Sequence, residues 1–262
     1  MGGTIQPRES LLDTIPGRLF VNKLKSRAYP GVSPAASVRS ISPRDLISFA
    51  ADAADGYLYS DECREVASLE IDQHVLREFD AAGLAALSEL STFSSPHVHQ
   101  GTIARIEAPI IRNRKPLSAL PHGAFWTSIP ITDSEDSWTL SGENINRGHA
   151  RSDVHFSVED VCLARIDSAD DWIALIESGF VEVGGCKYPD WPALAASWDA
   201  VYLSPLGLLR AHPRISTNPF TERDGSGLEH SQAGPYVSVA FWSTVSTAWL
   251  HEPPNATLRP IR

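Results

Sequence analysis

The chain has 262 residues, 42% of them hydrophobic and 21% charged, with a formal net charge of −10. That length and apolar content suit a globular body with a sizeable core, not a disordered chain. The acidic balance argues against a nucleic-acid binder that works by bulk electrostatics, and no apolar run reaches membrane-spanning length. The start, MGGTIQPRES, lacks the apolar core of a signal peptide, so a cytoplasmic location is expected. Cys63, Cys162 and Cys186 are odd in number and widely spaced, which predicts reduced, mostly buried thiols.

Residues 1–40 carry six basic side chains against two acidic ones, a net of +4, which leaves −14 on the remainder. Pro7, Pro16, Pro30 and Pro34 predict a largely irregular basic arm here, with Arg18 to Leu24 as a strand or anchoring turn. Residues 41–95 read as a helical segment. Ser42 is placed to cap, Pro43 fits the first helical position, Leu46, Ile47, Phe49 and Ala50 give an apolar face, and Gly56 is expected to close the helix. A second helix is expected to start at Ser60-Asp61-Glu62, with Val66, Leu69, Val75, Leu76, Phe79, Leu84 and Leu87 at helical spacing.

The texture changes at Ser94-Ser95-Pro96. Residues 96–262 alternate short β-like runs with short helices. Val98 to Ile111, Ala124 to Ile131, Val161 to Ile166, Ala200 to Leu203 and Tyr236 to Phe241 are strand candidates. A helix is expected from Asp167 to Ile176, ended by Gly179. A shorter one should start after Asp190, whose carboxylate is placed to accept from the first free N–H groups. Pro213 to Pro235 reads as a long loop. The fold class is α+β, with an N-terminal helical segment followed by a mixed, twisted sheet.

Histidines supply one candidate chemistry. His97 and His99 alternate and should share a strand face. With His122, His149, His155 and Asp153 they suggest a zinc or iron site and a metal hydrolase, although no spacing matches a known ligand motif. Neither Gly184-Gly185 nor Asp224-Gly225-Ser226-Gly227 has the context of a phosphate loop. Seven tryptophans, Trp126, Trp138, Trp172, Trp191, Trp198, Trp242 and Trp249, read either as core or as a cleft that stacks on a nucleobase or nicotinamide ring.

The run Ala104-Arg105-Ile106, then Lys115-Pro116, then Gly123-Ala124-Phe125-Trp126-Thr127-Ser128, and later Val161 to Leu175 and Asp190 to Leu203, resembles uncharacterised actinobacterial and phage proteins. Those are in turn similar to the ADP-ribosyltransferase-like fold. In its arginine-serine-glutamate branch, a first-strand arginine holds the NAD diphosphate, a hydroxyl-bearing strand lines the nicotinamide pocket, and a later glutamate binds the ribose. The resemblance implies NAD as substrate, Arg105 and Ser128 as catalytic groups, and Arg105, Trp126, Thr127, Ser128 and Trp242 around the dinucleotide. A guanidinium fork suits a diphosphate, and the transition state is an oxocarbenium-like sugar, as in glycoside cleavage, polarised by the glutamate on the ribose. Val245 stands where that glutamate is sought. Glu222, Glu229 and Glu252 are the nearest acids, and Glu229, from the long loop, is the candidate. The implied activity is ADP-ribosyl transfer or NAD cleavage. The alternative is a non-catalytic interaction protein, of phage or mobile-element type, that binds a macromolecular partner.

Overall fold

The computed structural model describes residues 10–59, 73–141, 150–215 and 235–261. Among these, a helical layer packs on one mixed seven-stranded sheet, so the α+β class holds. No described helix is long and apolar enough to cross a membrane.

The described part of the basic arm is folded. Ser10 caps a 3-10 turn, Leu11–Asp13, and Thr14 caps helix α1, Ile15–Ser26. Pro16 sits in the first turn, where its missing N–H costs nothing. Leu11, Phe20, Val21 and Leu24 are fully buried. Gly17 admits no side chain, since a Cβ there would lie 1.8 Å from the Leu11 carbonyl oxygen. Helix α2, Pro34–Arg39, follows. Pro16 reads as a breaker in the sequence, yet Pro16 and Gly17 are what the close start of α1 requires. Lys23 pairs with Asp52, and Lys23 and Arg27 lie over the Phe49 ring, so part of the arm's charge is spent on its own neighbour.

Helix α3, Pro43–Tyr59, starts as expected, with Asp45 N–H donating to Ser42 Oγ at 3.1 Å. It runs through Gly56 and does not end there. Helix α4, Gln73–Leu90, carries Val75, Leu76, Phe79, Leu84 and Leu87 as expected, while Ser60 to Glu62, Val66 and Leu69 lie outside the described residues.

Strands β1 (His97–Gln100), β2 (Phe125–Ser128), β3 (Arg151–His155), β4 (Leu163–Ile166), β7 (Ala200–Leu203), β8 (Ser246–Trp249) and β9 (Thr257–Ile261) form the sheet in the order β4-β7-β8-β2-β1-β3-β9. Among the described strands only β4 and β7 pair in parallel. Strands β5 (Phe180–Val183) and β6 (Cys186–Pro189) form a separate hairpin. Tyr236 to Phe241 is not the last strand: Val239–Phe241 is a 3-10 turn, and the chain enters the sheet afterwards through β8. Of the stretch Val98 to Ile111 only the first residues are strand. Among the described cysteines, Cys162 is exposed, unlike the buried thiol expected, and Cys186 is half-buried.

Short helices α5 (Ser137–Leu140), α6 (Ala169–Ser178), α7 (Trp191–Leu194) and α8 (Pro205–Arg210) join the strands. Helix α8 links the layers. Pro205 to Leu209 are buried, and α8 packs against α1, α3 and α4. A Cβ on Gly207 would meet the Ile166 oxygen at 2.0 Å, so α8 presses directly on the end of β4. Thr14 Oγ1 donates to the Leu209 carbonyl at 2.6 Å and ties α1 to it.

Asp190 precedes α7 but does not cap it with its side chain. Its carboxylate instead accepts from Asn113 Nδ2 at 3.0 Å, while Asn113 Oδ1 accepts the Trp191 N–H at 2.9 Å. The cap is therefore borrowed from a residue far away in sequence. Asn113→Ala is expected to cost about 1–2 kcal/mol in a urea titration, the value of a lost cap plus an unmatched partner.

Candidate functional site

The residues singled out in the sequence do not converge. Arg105 is not on a strand. It lies in the irregular segment after β1, its side chain 81% exposed, and its guanidinium meets Glu107 at 3.1 Å. Ser128 is fully buried and donates to the Val98 carbonyl at 3.2 Å. Thr127 is fully buried on the opposite face of β2, where it accepts the Trp249 indole N–H at 2.9 Å and meets His97 Nδ1 at 3.0 Å. Trp242 is 3% exposed, with its N–H on Ser246 Oγ, and its ring meets Trp126 edge-on at 5.1 Å. Indole rings thus occupy the space beside Ser128, and the hydroxyls of the Trp-Thr-Ser strand are used inside the sheet. Val245 is buried, Glu252 is exposed, and Glu222 and Glu229 lie outside the described residues.

Register also separates the expected metal ligands. Val98 pairs with Asp153, and His97 with Val154. His97 and His99 therefore share one face, while Asp153 and His155 share the other. His99 Nδ1 bonds the Trp126 carbonyl at 2.9 Å, and His122 is exposed. Among the described residues no three His, Cys, Asp or Glu side chains gather as a metal site; His149 lies outside them.

His97 serves the core instead. It is fully buried, with Phe93 and Phe156 edge-on at 5.0 and 5.2 Å. Burial pushes its pKa down to about 3, so the imidazole stays neutral. Its neighbour Tyr202 is also fully buried, which pushes the phenol well above its ordinary value. His97 Nε2 and the Tyr202 hydroxyl are both buried without a hydrogen-bond partner among the described residues, and neither residue lines the cleft described next.

One cleft carries chemistry that the sequence did not announce. It has a volume of about 200 Å³ and is walled by Trp172 and Ile173 of α6, by His212 and Arg214 beyond α8, and by Tyr236 and Val237. Ser168 caps α6, accepting the Asp171 N–H at 3.2 Å, and so fixes the turn that carries Trp172. The Trp172 indole donates to the Val237 carbonyl at 2.9 Å, joining two walls. Val237 N–H donates to the Lys187 carbonyl, which anchors this wall to β6. His212 is 3% exposed, and Tyr57 stands edge-on to it at 5.2 Å. Its Nε2 lies 3.0 Å from the Leu208 carbonyl, an acceptor, so Nε2 carries the proton. Nδ1 is then a lone-pair acceptor, buried and without a partner among the described residues. Burial pushes the His212 pKa down to about 4. Arg214 brings a guanidinium, bridged to Asp170 at 3.0 Å with both side chains more than half exposed. Such a pair is weak and can exchange partners.

No family model matches the chain, and no curated protein or solved structure matches it.

Proposed function

We propose that the protein binds a nicotinamide- or nucleobase-containing ligand, NAD among them, with the heterocycle in the cleft beside His212. The observation that carries this reading is the buried, neutral imidazole of a cleft-wall residue, whose Nδ1 has no hydrogen-bond partner among the described residues. A buried acceptor left unmade costs about 1–3 kcal/mol. A ligand N–H placed there would recover that cost, as the amide of nicotinamide or the amino group of adenine could. Trp172, Ile173 and Tyr236 supply the apolar and aromatic lining such a ring needs. At about 200 Å³ the cleft suits one ring and not a whole dinucleotide, since drug-sized ligands occupy roughly 300–1,000 Å³. The diphosphate would then lie outside, within reach of Arg214. Asp170 is the one carboxylate among the cleft residues, and Arg214 holds it. The support is accordingly stronger for binding than for ADP-ribosyl transfer.

Calorimetric titration with NAD, nicotinamide and adenosine is expected to give saturable binding. His212→Phe, which keeps the ring and removes Nδ1, should weaken it about tenfold, or about 1.4 kcal/mol. Released nicotinamide in the same samples would make the protein an NAD-cleaving enzyme; binding without release makes it a binding protein. If none of the three ligands binds, or His212→Phe binds equally well, the proposal fails.

A further inference from the structure

We propose that the extended segment Ile110 to Lys115 is a docking strip for an acidic, extended segment of a protein partner. This rests on observations separate from the cleft. Charge comes first. Residues 90–132 hold Arg105, Arg112, Arg114 and Lys115 and a single acid, Glu107, in a chain with 32 acids and 22 lysines and arginines. Arg105 is spent on Glu107. Arg112, Arg114 and Lys115 are exposed and form no ion pair among the described residues, on a protein whose other surface cations mostly find carboxylates.

The second observation is rigidity. Asn113 points inward and clamps the start of α7 through Asp190 and Trp191. Arg112 exchanges two backbone hydrogen bonds with His122, at 2.9 and 3.0 Å. Gly123 sits so close that a Cβ would be 2.2 Å from the Ile110 oxygen. The strip is thus held at several points, and little order has to be gained on binding.

The third is the shape of the free side. Exposure alternates along the strip, with Ile110, Arg112 and Arg114 outward and Ile111 and Asn113 half-buried, as in an extended strand. Ile110 is 69% exposed, an apolar side chain beside three unpaired cations. Arg112 directs its backbone bonds toward His122, and Ile111 and Asn113 make no backbone hydrogen bond among the described residues. An added strand finds donors and acceptors there, a pocket-free apolar contact at Ile110, and guanidinium forks for its carboxylates. A single-stranded nucleic acid fits less well, because the strip itself carries no aromatic side chain to stack on a base.

The test uses the full chain and a short fluorescein-labelled peptide of alternating glutamate and valine, followed by anisotropy. Binding is expected, weakening with added salt, and reduced about tenfold or more by the double variant Arg112→Ala/Arg114→Ala. Both arginines are exposed, so the variant should fold; an unchanged thermal melt checks this. Ile110→Asp, a second variant, should weaken binding without touching a cation. Amide exchange at Ile111 and Asn113 should slow when the peptide is bound. No binding, equal binding by the double variant, tighter binding of oligothymidylate than of the peptide, or a dimer in sedimentation that the double variant abolishes would each overturn the proposal.

Discussion

Lowering the pH from about 7.5 to about 5 is expected to remove about 4 kcal/mol of stability through two histidines alone. His97 and His212 are both buried, and burial holds their pKa values near 3 and near 4, against 6.5 in an ordinary environment. As pH falls below 6.5 the unfolded chain takes up a proton at each site while the folded protein does not. Stability is therefore full above that pH and declines as pH falls through the window down to the folded values. Each pH unit inside the window costs about 1.4 kcal/mol per histidine, hence roughly 2 kcal/mol each at pH 5. Asp80 works in the other sense. Its carboxyl is raised by burial, so the folded state binds that proton first, but only from its ordinary value upward and against bonds from Ser10 and Leu11. The measurement is denaturant unfolding across pH, read as the slope. Two protons should be taken up on unfolding near pH 5.5, and His97→Phe or His212→Phe should each remove one. A slope that neither variant changes would mean the two imidazoles are not the titrating groups.

Helices α3 and α6 were legible because their start and stop signals are local, whereas α1, capped as locally by Thr14, was masked by Pro16. Ser42 and Pro43, the acidic first turn of α6, and Gly179 each act within a turn of themselves and stand where they were expected, while the cap of α6 falls on Ser168, one residue after the expected start at Asp167. The sheet was harder to read, for reasons seen at particular strands. Ser246-Thr247-Ala248-Trp249 looks too polar for a central strand, yet all four residues are buried, because Trp242 and His97 reach their hydroxyls. Thr257 to Ile261 lies at a sheet edge with mostly exposed side chains and includes Pro260, so it shows no alternation to find. Conversely, Ile103, Ile106, Ile110 and Ile111 suggest a strand around Arg105, where tertiary anchoring through Asn113 and His122 produces an extended segment outside the sheet. The candidate cleft was illegible for a related reason. His212, Trp172 and Tyr236 come from three separate segments, and their meeting depends on α8 pressing on the end of β4 at Gly207. No spacing within one segment records that.

Replacing Asp136 with alanine is expected to cost about 3–5 kcal/mol, because it strands a nearly buried guanidinium. Asp136 is fully buried, and its two oxygens accept four hydrogen bonds from three donor groups. Oδ1 accepts from the Thr139 N–H and from Gln100 Nε2, each at 2.9 Å, and Oδ2 accepts from Gln100 Nε2 at 3.1 Å and from Arg151 Nε at 3.0 Å. The carboxylate caps α5 and at the same time holds β1 to β3 through side chains on both strands. Arg151 is 16% exposed; one guanidinium nitrogen reaches the Ser134 carbonyl at 2.6 Å, and another is buried without a partner among the described residues. With Asp136 gone, that charge keeps its desolvation penalty and loses its counter-charge. Asp136→Asn should cost less than alanine, since asparagine still caps a helix and still accepts from Gln100. Adding Arg151→Met to Asp136→Ala should restore a good part of the loss, because a buried pair exchanged for an apolar side chain is often near neutral. Urea unfolding of the four proteins gives the coupling directly. Strict additivity of the Asp136→Ala and Arg151→Met effects would show that the cap, and not the ion pair, carries the energy at this corner.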